Sequence, residues 1–438
     1  MTAPSRPDDM RILNRKRVLS AIRAARIASR TDIAATTNLS AATVSAITSD
    51  LLAEGVVAEG VLDASSPDST QSKPSGGRGR PKVGLKLNAA VATVCSIYIQ
   101  YNLLAVVLTD YAGDALLERH FPIDMHDASA DHTRELLLTA VRQCLQEGDV
   151  EERSLVKISV GFQGVSDVEH RRVLWTPICR EEDLPLAQWL EDAFGATTEV
   201  TNDCDMIALA LKWRFPQIYG ENFAAILLAH GVGMGLCLRN DVVNGTRSSG
   251  MEFGHMAYMP GGALCRCGNH GCIEAYAGDY AIIRAAGPAD STEGPDQVIG
   301  PAQMAEVAKA CDEGDPRALR AAKMAGAALG TGLASLYALV DPFPLIFVGR
   351  GTLLIDHMKP ALLEALESAP GSRPHHPVSI ACFDDETDLV LAGCTIHALD
   401  LHDDDLAQRK HPSYSVMVTP EVSAEQENEQ ARGEAAVP

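Results

Sequence analysis

Apolar positions recur at helical spacing three times in the first sixty residues. Residues 11–26 set Ile12, Val18, Leu19 and Ile22 on one side and arginines on the other, which predicts an amphipathic helix. Ser29 stands three positions before Asp32, a capping-box start for a short helix over Thr31–Thr37. After the break Thr37-Asn38-Leu39-Ser40, a third helix is predicted over Ala41–Leu52 with Ser40 as its cap. From about residue 90 the pattern changes to short apolar runs alternating with amphipathic ones. Strands are predicted over Ala92–Ile99, Leu103–Leu108, Leu155–Gly161, Ala224–Leu228, Gly235–Leu238, Leu345–Val348 and Val378–Ala381. Helices are predicted over His132–Glu147, Leu186–Phe194, Cys204–Trp213, Gln303–Cys311 and Ala318–Leu339. This alternation is that of an α/β domain, and the last helix, Ala/Gly-rich and apolar, is expected to lie buried between layers.

Composition bounds the class. A chain of 438 residues, 46% hydrophobic and 22% charged, is that of a soluble globular protein of about three domains. The polar start MTAPSRPDDMRILNRKR carries no cleavable signal, and no apolar run reaches the ~18 residues needed to span a bilayer. Cytoplasmic residence without membrane association is the expectation. The 11 cysteines are odd in number and mostly scattered singly, as at Cys95, Cys237 and Cys394, so reduced thiols are expected rather than disulfides. Within the wing or linker expected over 66–90, the Ser/Pro/Gly-rich SKPSGGRGRPK has no core-forming residues, which predicts a mobile segment. The tail over 406–438 is polar and acidic and is expected to be disordered.

Charge adds an asymmetry to this picture. The chain carries a net charge of -21, yet residues 1–90 hold thirteen basic against eight acidic residues, a balance of +5 that leaves -26 for the remainder. A basic head on an acidic body attracts a polyanion at one end only, and nucleic acid is the first candidate. The exposed face of the third helix should carry Ala41, Ala42, Thr43, Ser45 and Ala46, small and hydroxylated residues that, with the cap Ser40, let a helix lie deep in a major groove. Arg78 and Arg80 could reach phosphates or a narrow minor groove, or belong to a solvated linker. The stretch RTDIAATTNLSAATVSAITSDLLAEGVV resembles a winged helix-turn-helix over residues 1–65, with Gly55-Val56-Val57 entering the β-wing. The alternative is a small helical protein-interaction module.

One stretch in the body carries metal chemistry. Cys265, Cys267 and Cys272 form C-x-C-x4-C, with His255 ten residues ahead of the first thiol. Three thiolates and an imidazole complete a tetrahedral set for zinc, leaving no open position for chemistry, so a structural Zn2+ is expected. Gly261, Gly262, Gly268 and Gly271 let the backbone bring ligands so close in sequence together. The alternative is three reduced cysteines in a Gly-rich loop.

Three motifs carry a family resemblance: Glu252-x-Gly-His255, C-x-C-G-x2-G-C-x-E over Cys265–Glu274, and Asn202-Asp203 ahead of a helix. With them the body, residues 91–405, resembles the ROK family, which groups sugar-responsive repressors with bacterial sugar kinases. The resemblance implies the two-lobed actin-like ATPase (ribonuclease H-like) fold, and a head fused to this body is the arrangement of the family's repressors. It further implies that Asn202, Asp203, Glu252, His255 and Glu274 hold sugar hydroxyls, with Asp203 at the position of the kinases' catalytic base. Paired hydroxyls suit carboxylates and amides, and a site built on such bonds rejects isomers that leave them unpaired.

The phosphate motifs depart from the family's working enzymes. Where the first phosphate hairpin should read Asp-x-Gly-x-Thr/Asn, the chain has Tyr98, Gln100 and Asn102. The second loop reads Ala229-His230-Gly231-Val232-Gly233-Met234-Gly235, with His230 replacing a threonine. Losing the carboxylate removes a partner for Mg2+, and a bulky Tyr98 is expected to crowd the phosphates, so kinase activity is expected to be absent. The function expected is a sugar-responsive DNA-binding regulator, more usually a repressor in this family, binding operator DNA as a homodimer or dimer of dimers and sensing a sugar or sugar phosphate. Two alternatives stand beside it: an active kinase that also binds DNA, and a regulator controlled by a protein partner.

Overall fold

The computed structural model describes residues 7–61, 83–125, 128–219, 221–245, 251–288, 294–295, 299–368 and 377–408. The chain divides into a head unit, up to Leu85 and again from Asp403 onward, and a body unit from Lys86 to His402. In the head, α1 (Pro7–Ala25), α2 (Arg30–Thr37) and α3 (Ala41–Ala53) follow the helical spacing of the sequence. They bury Val18, Leu19, Ile22, Ile33, Val44, Ile47 and Leu51. The capping box forms as its residue types require: the Asp32 amide donates to Ser29 Oγ at 3.2 Å, and the Ser29 amide to Asp32 Oδ2 at 3.1 Å. Then β1 (Val57–Val61) pairs with β2 (Val83–Leu87), the two strands of the wing. Lys73, Arg78 and Arg80 lie outside the described residues.

The body is two lobes of the same topology. In the first, β3 (Thr93–Ile99), β4 (Leu103–Asp110) and β5 (Ala115–Pro122) form an antiparallel meander. After α4 (Ala130–Glu147), β6 (Leu155–Phe162) pairs parallel to β3. A small hairpin, β7 (Val165–Ser166) with β8 (Val173–Trp175), and α5 (Leu186–Phe194) precede β9 (Thr197–Asn202), which pairs parallel to β6. The sheet order is therefore β5-β4-β3-β6-β9. Next come α6 (Asp203–Arg214) and the single turn α7 (Pro216–Tyr219).

The second lobe repeats the pattern with β10 (Phe223–Leu228), β11 (Val232–Leu238) and β12 (Asp241–Val242) as its meander. Helices α8 (Glu274–Ala277), α9 (Asp279–Ala286), α10 (Pro301–Asp312) and α11 (Pro316–Val340) follow. The parallel strand β13 (Leu345–Val348), α12 (Ile355–Ser368), β14 (Ile380–Phe383) and α13 (Glu386–Gln408) complete the chain, giving the order β12-β11-β10-β13-β14. Strand periodicity separates the cores. Along β10, Ala224, Ile226 and Leu228 face α8–α12, while Phe223, Ala225 and Leu227 face α6 and α13, which are packed between the two sheets.

Three expectations need correction. Length and hydropathy do make α11 long and apolar enough to cross a membrane, and it is the one such helix among the described residues. Its Ala and Gly positions are instead packed into the second lobe's core, with Gly326, Gly330 and Gly332 approached closely by α12, Phe253 and Ile273. Helix α13 continues through Leu406 and Ala407, both buried, to Gln408, so the first residues of the expected tail are helical. From Asp403 on, α13 belongs to the head unit, where Asp403 accepts a buried bidentate pair from Arg23 at 2.7 and 3.1 Å and Asp404 pairs with Lys16 at 2.7 Å. Finally, strand 378–381 begins two residues later, at Ile380.

Candidate functional site

The five residues implied to hold sugar converge on one cleft in the body. Asn202 ends β9 and caps α6, its Oδ1 accepting from the Cys204 amide at 2.8 Å and its Nδ2 donating to the Gly164 carbonyl at 2.7 Å. Both polar ends of this side chain are thus committed to the scaffold. Asp203, next in the chain, is 2% exposed. Burial pushes its carboxyl up to about 7 against the pull of hydrogen bonds from Cys204 and Tyr98. Glu252 and His255 flank a single helical turn, Phe253–His255, and Glu274 opens α8. The Glu274 carboxylate accepts from the Val232 amide at 3.2 Å, so the loop over Ala229–Gly235 and Glu274 are physically joined. At Gly231 a Cβ would meet that carboxylate at 2.5 Å. Burial, and then the Glu274 charge, raise Glu252, opposed by His255.

The metal ligand set is assembled as well. One donor atom each from His255, Cys265, Cys267 and Cys272 lie within 4.8 Å of one another. A tetrahedron with zinc–sulfur bonds of about 2.3 Å and a zinc–nitrogen bond of about 2.0 Å has edges of about 3.8 Å between sulfurs and about 3.5 Å between sulfur and nitrogen. The Cys267 and Cys272 sulfurs are 3.8 Å apart, and His255 Nδ1 is 3.6 Å from Cys265 Sγ. These residues therefore form a cluster that can bind a metal ion. The other ring nitrogen, Nε2, faces Glu252 at 3.7 Å. Glycine is required at 271, where φ is +88° and a Cβ would stand 1.9 Å from the Met259 carbonyl oxygen.

Tyr98, Gln100 and His230 are engaged by other parts of the chain. Tyr98 is 3% exposed and does not line the cleft. Its hydroxyl donates to Asp203 Oδ2 at 3.4 Å, so it engages the base position from below rather than crowding a phosphate. Gln100 donates to Thr387 at 3.1 Å. His230 is buried, with Nε2 3.3 Å from Arg350, Nδ1 3.6 Å from Asp279, and its carbonyl accepting from Arg266. Burial, then Arg350 and Arg266, lower the imidazole to about 3, keeping it neutral. Asp279 beneath it is pushed up to about 7 by burial.

In the head, Ser40 caps α3, accepting from the Thr43 amide at 3.1 Å. Ala41, Ala42, Ser45 and Ala46 are exposed, Thr43 is half-buried, and Val44, Ile47 and Thr48 turn inward. The cleft also has walls that the sequence reading did not single out: Gln163, Trp175, Met251 and Arg266. Arg266 lies inside the cysteine motif, but Trp175 sits on a two-stranded hairpin too short for periodicity to reveal.

Two sheets of identical strand order around a cleft lined by carboxylates define a two-lobed, actin-like sugar-kinase fold. Residues 96–389 match the ROK family model, and the chain belongs to the ROK family. Among its relatives, a putative xylose repressor from Caldicellulosiruptor sp. is 27% identical over 271 residues, 62% of this chain and 65% of that protein. The match thus spans just under two thirds of that relative's length. The DNA-binding transcriptional dual regulator NagC of Escherichia coli K12 is 26% identical over 341 residues, covering 78% of this chain and 80% of its own. A crystal structure described as a ROK family transcriptional regulator, homolog of the E. coli MLC protein, superposes with a TM-score of 0.70 at 23% identity, covering 91% of this chain and 98% of that one.

Proposed function

We propose that this protein is a sugar-responsive, DNA-binding transcriptional regulator acting as a repressor. The observation that carries the reading is the head: a capped α2–α3 pair whose second helix presents Ala41, Ala42, Ser45 and Ala46 to solvent, followed by a wing. The relatives named above as repressors and regulators support it. Operator binding by two such helices in successive major grooves calls for a symmetric dimer, and it places the protein in the cytoplasm.

In this reading Asp203, Glu252 and Glu274 grip the hydroxyls of a sugar or sugar phosphate, with Asn202 holding the floor of the site. His255, Cys265, Cys267 and Cys272 hold a structural zinc ion. The ion supplies cross-linking of the loop between Glu252 and Glu274, and the residues do the rest. His255 presents Nε2 toward Glu252 while Nδ1 faces the thiols, an orientation a metal would fix.

A kinase that also binds DNA is the second reading, supported by the retained Asn202-Asp203 and Glu252. Tyr98 on Asp203 and the His230–Arg350–Asp279 cluster oppose it, since phosphoryl transfer depends on positioning and electrostatics that these side chains replace. Incubation with ATP, Mg2+ and a panel of monosaccharides is expected to give no sugar phosphate above background. Robust Mg2+-dependent phosphorylation would sink the repressor-only reading.

A further inference from the structure

The carboxylates of the cleft account for the edge of a sugar ring and leave its faces unassigned. A pyranose carries hydroxyls around its rim and C–H groups on its faces, so a site that grips the rim gains further by covering a face with an aromatic ring. Trp175 is the residue of that kind. Its half-buried indole lines the cleft together with Asp203, Glu252 and Glu274. It stands edge-to-face against the His255 ring, with centroids 6.0 Å apart and planes at 77°.

The backbone that carries the indole is fixed on three sides. Val165 pairs with Trp175 across the β7–β8 hairpin. The Thr176 hydroxyl donates to the Gln163 carbonyl at 2.7 Å, and Asn202 Nδ2 holds the Gly164 carbonyl at 2.7 Å. Gly164 makes this approach possible: its φ is +140°, and a Cβ there would stand 2.3 Å from the Trp175 carbonyl oxygen and 2.9 Å from Thr176 Cα. The residue that caps α6 at the sugar carboxylates is therefore also the residue that seats the hairpin bearing the indole. Such a pre-set wall costs little ordering on binding.

We infer that Trp175 is a specificity-determining platform on which the C–H face of a cyclic pyranose stacks. The inference rests on the sugar-pocket reading above and deepens it, because it selects ring sugars over open-chain polyols that carry similar hydroxyls but no flat apolar face. Gly164, held by Asn202, is the positioning residue for the platform.

The test uses the full-length chain with D-glucose, D-xylose and N-acetyl-D-glucosamine as ring probes, and sorbitol and xylitol as open-chain controls, read by thermal shift and tryptophan emission. A Trp189→Phe, Trp213→Phe background leaves Trp175 as the single indole. The expected result is that the sugar raising the melting temperature also changes Trp175 emission, and that neither alditol does either. Trp175→Ala should weaken that sugar by roughly tenfold or more and reduce the preference for ring over alditol, whereas Trp175→Phe should lose no more than about threefold. Gly164→Ala should abolish the emission change, and it serves as the second probe if Trp175→Ala fails to fold. A sugar that shifts the parent but leaves Trp175 emission and the affinity of the Trp175 variants unchanged would overturn the platform alone. If none of the sugars shifts the parent protein, the sugar-pocket reading falls and takes the platform with it.

Discussion

Asp203 stands where the family resemblance places the kinases' catalytic base, and its surroundings set how it titrates. It is buried beside Tyr98 and Cys204, and burial holds its carboxyl up to about 7. Because the folded state then binds a proton that the unfolded chain releases near pH 4, this group makes stability fall as pH rises from about 4 to 7. In Asp203→Asn, melting temperature followed across that range should fall less steeply than in the parent. An unchanged slope would mean that Asp203 is ionised throughout. Sequence alone made the losses at Tyr98 and His230 legible, because phosphate loops have fixed residue types. It gave the wrong consequence for Tyr98, since which way a strand residue faces depends on register: Tyr98 pairs with Ala105 and turns toward α6 and α13.

At the scale of elements, residue types dictated some boundaries almost to the residue. Leu186–Phe194 and Leu345–Val348 appear unchanged, and the caps at Ser29 and Ser40 form as expected. Strand β5 was not legible because most of ALLERHFP faces solvent on an edge, and β9 because TTEVTN lacks an apolar run. The long α13 was also missed; its first half packs between sheets and its last turns carry Asp403 and Asp404, so no single apolar stripe runs along it. Asp403→Ala would leave Arg23 buried without this partner, at a cost on the order of 3 kcal/mol. A drop of several degrees in the melting of the head is expected by calorimetry, and no drop would show that the pair is dispensable. The Cys/His loop makes a second prediction at this scale. Cys265→Ser should reduce bound zinc, measured by atomic absorption, and weaken the thermal shift given by sugar; full zinc content with an unaltered shift would contradict the ligand assignment.

At the scale of the whole molecule, the sequence separated a basic head from an acidic body, and the structure resolves the chain into a head unit, which takes in the C-terminal end of α13, and a body unit. The cleft's walls, by contrast, come from six separate stretches of chain, so only the motif-bearing ones could be read in advance. The reading of the protein as a regulator requires that sugar and operator compete through the body's conformation: a sugar that favours a state unable to hold DNA lowers DNA affinity, and DNA lowers sugar affinity by the same factor. The most direct measurement is fluorescence anisotropy of a duplex from upstream of the gene, titrated with protein at several salt concentrations, with and without the sugar that gives the largest thermal shift. The expected result is a salt-dependent affinity that the sugar weakens in the parent protein and leaves unchanged in Glu252→Ala. Affinity that ignores both salt and sugar would contradict the account at its centre.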